Sequence, residues 1–412
     1  MNMVQRDQDR TFASEFQLAL ACARWPQTDL DQSEIRRLAS RSLNWEWFER
    51  IIQRNQIVPL AYHNLREALP DKCPAEVFDS LRERAMGQVS RSMSQAAELV
   101  RITESLKSAG VESVALKGVS LSAAAYGNCA LRSPGDIDLL VSASDVFDVE
   151  RILADLGYAR HEPRAELTPK RLKHYLRYHK HFTYFSEAKA LPVELHWRLF
   201  DRISFSEEAA EFPPTMPVSL GCGVVSTLSR SELFLYLCVH GAIHGWTVLK
   251  WLADIAALLS GMTTDDFGLI ATLASQRGLM AELLAAVMLV DHFLAVEPPN
   301  FEPPRESNPA VERIVGMAKR LLTAKGYCLE IHQLPRFAMI FYELRLRSSY
   351  RYRSEGIWRA LFYPADWYLI GLPDALFPLY AAVRPVSWLL RHFPHAATRR
   401  HLPDGSSHHL SS

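Results

Sequence analysis

The stretch LRSPGDIDLLV, residues 131–141, combines a short apolar strand pattern with two carboxylates two positions apart. Successive side chains of a β-strand point to opposite faces, so Asp136 and Asp138 share one face. Ile137 and Leu139 then lie on the other face. Two carboxylates about 7 Å apart along one strand can converge on one or two Mg²⁺ ions. Acidic pairs at the end of a strand are common, however, so the neighbouring segments decide what this pair means.

A second pattern, SVALKGVS at residues 113–120, precedes this stretch. An apolar strand followed by a Lys-Gly turn and a helix start is typical of an anion site, because helix N-termini offer free backbone N–H groups and a favourable dipole. We expect Gly118 to allow close approach of the backbone to phosphate and Ser120 to offer a hydroxyl. Lys117 and Arg132 are further candidates for binding phosphate, and a structural ion pair with the carboxylates is the alternative for Arg132.

Downstream, PVELHWRL at residues 192–199 alternates between apolar and polar side chains, as expected for a strand with one buried face. The predicted buried set is Val193, Leu195, Trp197 and Leu199, and the opposite set is Glu194, His196 and Arg198. Glu194 is a candidate third carboxylate that binds metal or accepts the proton of an attacking hydroxyl. We therefore expect its carboxyl group within about 6 Å of one of the two aspartates, a span that shared ions can bridge.

Taken together, Lys-Gly-x-Ser, Arg-x-x-x-Asp-x-Asp and a later Glu on another strand resemble the polymerase-β-like nucleotidyltransferase superfamily. Leu-Lys-Gly, Asp-Ile-Asp-Leu-Leu-Val and Glu-Leu-His-Trp resemble in particular the bacterial uncharacterised nucleotidyltransferase family. The resemblance extends to VHGAIHGW at 239–246, LKWLAD at 249–254 and YPADW at 363–367. One difference is that Val119 follows Gly118, where the superfamily turn has Gly-Gly or Gly-Ser, so the serine is displaced by one position.

The resemblance implies transfer of a nucleoside monophosphate from an NTP to an acceptor hydroxyl or phosphate, with release of pyrophosphate. Asp136 and Asp138 would hold two Mg²⁺ ions, with Mn²⁺ as the alternative, and Glu194 would share one ion or act as the base. The backbone amides after Gly118 would surround the triphosphate. The partners are then an NTP and an acceptor that the sequence does not identify, whether a small molecule, a glycan precursor, a peptide or a protein.

Two other functions stay open from the sequence. The first is a catalytically weak nucleotide- or partner-binding protein of the same fold, in a biosynthetic or toxin–antitoxin operon. The second is a kinase-like phosphotransferase that uses the same metal site and releases a nucleoside diphosphate.

The charge balance argues against a nucleic acid partner, since 46 Lys and Arg residues match 46 Asp and Glu residues and create no general attraction to polyanions. The six cysteines form no Cys-x-x-Cys pair and predict neither a zinc cage nor a disulfide framework. Residues 1–10 lack the apolar core of a signal peptide, so we expect a cytoplasmic protein. The apolar stretch 368–390 is interrupted by prolines and charges and predicts no transmembrane segment, although peripheral contact with a membrane stays an alternative.

Helical patterns surround a strand-rich segment, which predicts an α+β fold with a minimal nucleotidyltransferase mixed-sheet core embedded between helical domains. The predicted domains are a helical one at 1–109, the core at 110–225, a second helical one at 226–393 and a disordered tail at 394–412. The predicted strands are 113–116, 136–141, 181–185 and 193–199, with a hairpin turn at 186–190.

Two histidine-containing stretches allow several interpretations. His240 and His244 fall on one apolar helical stripe that runs from Leu233 to Ile255. They are predicted to line the core or the cleft, where Trp246 or Lys250 would touch nucleotide or acceptor; a zinc site is a further alternative, although the glutamate typical of such His pairs is absent. The basic, aromatic stretch at 174–181 is interpreted as a solvated helix end entering a strand, with stacking on a nucleotide or RNA as the alternative.

Overall fold

The strands assemble into a single mixed sheet in the computed structural model of the protein, which describes residues 12–69, 74–133, 135–164, 167–202, 212–300, 308–329 and 336–392. The strands are β1 (Ser113–Ala115), β2 (Ile137–Val141), β3 (Ala159–Glu162), β4 (His181–Ser186), β5 (Leu191–His196), β6 (Thr215–Ser219) and β7 (Val224–Leu228). Their order across the sheet is β3-β4-β5-β2-β1-β7-β6. The predicted tail at 394–412 lies outside the described residues.

The centre of the sheet brings together the motifs found in the sequence. Strand β2 pairs antiparallel with β1 and parallel with β5, which places Asp138 directly opposite Glu194. Strands β4 and β5 form an antiparallel hairpin, as predicted from the turn at 186–190. The predicted α+β class with a mixed sheet is confirmed.

Helices precede the sheet and lie between its strands. They are α1 (Ser14–Cys22), α2 (Asp29–Ala39), α3 (Trp45–Arg54), α4 (Val58–Ala68), α5 (Ala75–Ser108), α6 (Val119–Tyr126), α7 (Val146–Asp155) and α8 (Pro169–Tyr178). The long helix α5 ends shortly before Gly110, whose φ of +77° is the left-handed conformation common after a helix C-terminus.

Helices also make up the chain after the sheet. They are α9 (Arg230–Ile243), α10 (Leu249–Leu259), α11 (Thr264–Gln276), α12 (Met280–Leu294), α13 (Pro309–Thr323), α14 (Arg336–Arg345), α15 (Tyr350–Leu361), α16 (Pro364–Leu369) and α17 (Tyr380–His392), with short 3₁₀ turns at Ala324–Tyr327 and Asp374–Leu379. No helix within the described ranges has both the length and the apolar character needed to cross a bilayer.

Two hydrophobic clusters hold these elements together. One contains Leu139 and Leu195 of the sheet, apolar side chains of α5 and α7, and the aromatic rings of Phe362 and Trp367. The other contains side chains of the helices before and after the sheet, where Phe16 stacks on Tyr327 with ring centroids 4.1 Å apart. The domain boundaries drawn from the sequence stay a prediction.

The sequence missed three strands and misplaced the end of another. Strand β5 ends at His196 rather than at residue 199. Strands β3 and β6 lie at the two edges of the sheet, and β6 contains Pro217, which is tolerated at an edge because it need not donate to a ladder. Short edge strands of this kind lack a clear alternation of apolar residues. The third missed strand, β7, lies inside the sheet, between β1 and β6.

The apolar stripe predicted as one helix from Leu233 to Ile255 is in fact two helices, α9 and α10. The chain turns between them at Gly245 and Trp246, whose φ angles are +64° and +53°. The Trp246 ring packs over Gly241 so closely that a Cβ at that glycine would lie 2.5 Å from it. The periodicity continued across the break because both helices bury apolar side chains in the same cluster.

Candidate active site

A glycine turn and the loop before β2 form one side of the site. Gly118 has a φ of +66° and precedes α6, and a Cβ there would lie 3.3 Å from the carbonyl oxygen of Asp136. The amide Nε2 of Gln95 on α5 donates to the carbonyl oxygens of Gly135 and Asp136, both at 2.8 Å. These contacts fix the start of α6, with its free N–H groups, beside the loop that carries the aspartates.

Three carboxylates meet next to this turn. One oxygen from each of Asp136, Asp138 and Glu194 lies within 4.8 Å of the other two. The predicted proximity of Glu194 to the aspartates is therefore confirmed. Parallel pairing of β2 with β5 explains it, because Asp138 and Glu194 occupy the same register on the same face. Asp136 lies just before β2 rather than within it.

The carboxylates of Asp138 and Glu194 are buried, that of Asp136 is half-buried, and the cluster has close cationic and imidazole neighbours. The Nζ of Lys117 lies 3.1 Å from Oδ1 of Asp138. The Nε2 of His196 lies 3.1 Å from the same oxygen and 3.2 Å from Oε2 of Glu194. The second oxygen of Asp138, Oδ2, is buried without a hydrogen-bond partner among the described residues. An orphaned carboxylate oxygen beside two further carboxylates is a donor set that suits a divalent cation.

The charges of this cluster shift one another's pKa values. Burial, together with the neighbouring Asp138 and Glu194 carboxylates, raises the pKa of Asp136 to about 7. Burial also opposes ionisation of Asp138, but the Lys117 ammonium and the His196 hydrogen bond outweigh it and lower the pKa of Asp138. Burial alone would lower the pKa of Lys117, but the combined attraction of Asp138 and the other acidic groups nearby outweighs burial and raises this pKa. Asp136 is thus the carboxyl group of the cluster that is protonated most readily.

A residue that sequence reasoning did not select, His181, completes the cluster. It begins β4 directly opposite His196, and its Nδ1 lies 3.6 Å from Oε2 of Glu194. Burial lowers the pKa of His181 to about 3, so the ring is neutral near pH 7. The sequence could have revealed this residue, because a hairpin that turns at 186–190 pairs position 181 with position 196.

The region that contains this site matches a known protein family. Residues 41–295, more than half of the chain, match the family described as uncharacterised nucleotidyltransferase. The chain belongs to this family. Membership indicates a transferase with a nucleotide substrate, and the matched region contains the described sheet and the three carboxylates. No curated protein and no solved structure matches the chain.

Two of the predicted phosphate ligands of this nucleotidyltransferase make structural bonds. Ser120 is fully buried, and its hydroxyl donates to the carbonyl oxygen of Lys117 at 2.8 Å. Arg132 is buried in an ion pair with Asp254 of α10, its Nε lying 2.9 Å from Oδ2, rather than in a pair with Asp136 or Asp138. Arg132 therefore joins the aspartate loop of the nucleotidyltransferase to the helices that follow the sheet.

Two residues expected in the cleft lie deeper. Trp246 is fully buried against Gly241, so the interpretation that it touches nucleotide or acceptor is wrong. Lys250 is buried, and its ammonium donates to Oε1 of Gln56. Burial and the nearby Arg132 lower the pKa of Lys250 to about 7.

The His240 and His244 rings adjoin each other with centroids 4.6 Å apart, and both contact Trp251. Neither ring is fully buried. Burial and the nearby Lys180 and Lys117 lower the pKa of His244 to about 3. Lys117 influences both rings electrostatically, and no third ligand joins the pair among the metal-binding groups of the described residues.

Proposed function

We propose that this protein transfers a nucleoside monophosphate from an NTP to an acceptor hydroxyl or phosphate and releases pyrophosphate. The observation that supports this most is the convergence of Asp136, Asp138 and Glu194 within 4.8 Å beside the Gly118 turn. The turn provides backbone donors for phosphate, and the carboxylates provide the ligands for divalent ions. Nucleotidyl transfer requires groups of both kinds side by side, and their proximity supports the proposal.

Mg²⁺ or Mn²⁺ suits the three carboxylates, because hard divalent cations bind carboxylate oxygens and Oδ2 of Asp138 has no other partner among the described residues. When bound, two such ions activate the acceptor oxygen and neutralise the departing phosphates. Asp136, Asp138 and Glu194 would hold them.

The surrounding side chains prepare these carboxylates. Lys117 and His196 keep Asp138 ionised, since both lie 3.1 Å from its Oδ1. The Gln95 amide holds the Asp136 backbone near the Gly118 turn, so the phosphate-binding and metal-binding loops keep a fixed spacing. Glu194 is oriented by His196 at 3.2 Å and is available as a ligand or as acceptor of the proton from the attacking hydroxyl.

The test compares NTPs labelled at the α or the γ phosphate. The purified full-length chain is incubated with each NTP, with Mg²⁺ or Mn²⁺, and with an extract that supplies small molecules, glycan precursors, peptides and proteins. We expect the α label, not the γ label, to appear in an acceptor, with pyrophosphate as the second product.

Asp138→Asn should abolish this transfer, whereas Asp155→Asn, at the exposed end of α7, should leave it intact. Transfer of the γ label would identify a kinase-like phosphotransferase instead. Metal-dependent nucleotide binding without any transfer would identify a catalytically weak nucleotide-binding protein. Either result would refute the proposed reaction.

A further inference from the structure

Two imidazoles lie beside Glu194 on the face that carries the aspartates. One ligand atom from each of His181, Glu194 and His196 lies within 4.8 Å of the other two. The three residues come from the β4–β5 hairpin, whose register places His181 opposite His196. Their arrangement is therefore fixed by the backbone rather than by flexible loops.

Hydrogen bonds alone leave this group incompletely satisfied. The Nδ1 of His181 lies 3.6 Å from Oε2 of Glu194, which is too far for a hydrogen bond, and it has no hydrogen-bond partner among the described residues although it is buried. The Nδ1 of His196, whose side chain is 0% exposed, is also unpartnered within the described chain. Buried polar atoms without partners are unfavourable, so an occupant that binds the free His181 nitrogen is favoured.

The spacings fit a shared ion. Ligand atoms that bind one ion at about 2.0–2.2 Å stand roughly 3.0–3.5 Å apart. The distances from Glu194 Oε2 to His196 Nε2, 3.2 Å, and to His181 Nδ1, 3.6 Å, are close to this range. The charge balance agrees, since Asp136, Asp138 and Glu194 face one directly paired ammonium, that of Lys117, with Lys180 also in electrostatic range of Glu194.

We propose that His181, Glu194 and His196 form a nitrogen-containing site for a divalent transition-metal ion, distinct in ligand chemistry from the all-carboxylate site for Mg²⁺. Imidazole nitrogens favour ions such as Zn²⁺ and Co²⁺, and two histidines with one glutamate leave coordination positions open for substrate or water. This goes beyond the proposed function, because the ion binds whether or not a nucleotide is transferred. Glu194 belongs to both sites and links them.

The experiment measures metal binding without nucleotide. The full-length chain is freed of metal with a chelator and titrated with Zn²⁺ by calorimetry and with Co²⁺ by visible absorption, both in a large excess of Mg²⁺. We expect one ion per chain that Mg²⁺ does not displace. His181→Ala should weaken Zn²⁺ binding at least about 100-fold, since even second-shell changes cost 10–100-fold.

The matched control is His161→Ala, an exposed histidine on the adjacent strand β3, which should bind Zn²⁺ like the wild type. Should His181→Ala fail to fold, X-ray absorption of the Zn²⁺-loaded wild type gives the answer directly. Imidazole scattering that persists in a His240→Ala, His244→Ala double variant supports the site, and oxygen ligands alone refute it.

The second histidine pair is the rival source of nitrogen ligands. Zn²⁺ binding that survives His181→Ala but disappears in a His240→Ala, His244→Ala double variant would overturn the proposal. Displacement of Zn²⁺ from the wild type by excess Mg²⁺ would also overturn the proposal. Zn²⁺ binding without nucleotidyl transfer would leave this proposal standing and refute only the proposed reaction.

Discussion

The two faces of strands β2 and β5 are equally buried and chemically opposite. On one face, Leu139 and Leu195 are 0% exposed and pack into an apolar cluster. On the other, Asp138, Glu194 and His196 are 2%, 5% and 0% exposed. Burying charges costs several kcal/mol per ion unless they are paired, so the polar face contributes less to stability than the apolar face. The apolar face provides the stability that this requires.

The largest effect on stability is expected when a carboxyl group is introduced on the apolar face. Leu195→Asp places a carboxyl group where only apolar side chains pack. We expect a loss of more than about 4 kcal/mol in the free energy of unfolding, or failure to fold, because the new group has no partner. Urea denaturation measures it. Leu191→Asp, at the half-buried start of the same strand, is the control, and an equal loss there would remove the distinction.

Lys250, on helix α10, tests whether a buried charged group lowers stability. Its pKa of about 7 in the folded chain lies below the unfolded value of about 10.4, so the unfolded state binds more protons between these pH values. Stability therefore rises with pH across this window. Lys250→Met should be more stable than the wild type by between about 1 and 4 kcal/mol at pH 6, and this gain should shrink towards pH 10.

Urea denaturation at several pH values measures that difference. The exposed Lys107→Met is the matched control. A gain for Lys250→Met that stays constant with pH would show that the ammonium is charged in the folded protein.

His174 is an ionisable group on the apolar side, where its ring adjoins Phe362, Trp367 and Phe377. Burial and the nearby Arg177 lower its pKa to about 4. Since the unfolded value is about 6.5, the unfolded state binds more protons between pH 4 and 6.5, and stability is lost as the pH falls through this window.

His174→Phe should reduce the loss of stability between pH 7 and 5, by on the order of 1 kcal/mol. Thermal denaturation at both pH values checks this, with the exposed His161→Phe as control. Identical acid sensitivity in the wild type and His174→Phe would contradict a neutral buried ring.

The smallest effect is expected at Asp136. Its pKa of about 7 lies above the unfolded value near 3.9, so the folded state binds more protons between these values and stability falls as the pH rises through them. Because Asp136 is only half-buried, solvent screens the repulsion. Asp136→Asn without metal should melt at the wild-type temperature or about 2 °C higher at pH 8.

Asp138→Asn is the matched comparison, since it leaves the Lys117 ammonium without its partner at 3.1 Å and should melt lower. Differential scanning calorimetry distinguishes the two. A clear loss of stability in Asp136→Asn would mean that its carboxylate is held by attraction rather than repulsion.

Much of the site could be predicted because its patterns are local. Alternation at 192–199 gave the orientation of Glu194, and the turn at 186–190 gave the hairpin. Contacts between distant segments could not be predicted, because no local pattern encodes them. Arg132 binds Asp254 and Lys250 binds Gln56, in each case across more than one hundred residues.

Gln95 sits in the interior of the 34-residue helix α5, and its one amide group holds the carbonyls of Gly135 and Asp136 while its side chain adjoins Gly118. The spacing between the glycine turn and the aspartate loop therefore depends on a residue that has no charge. A glutamate at this position would keep the length but lack the N–H donors that bind the two carbonyls. A substitution at position 95 can thus change the spacing of the two loops without replacing any of the three carboxylates.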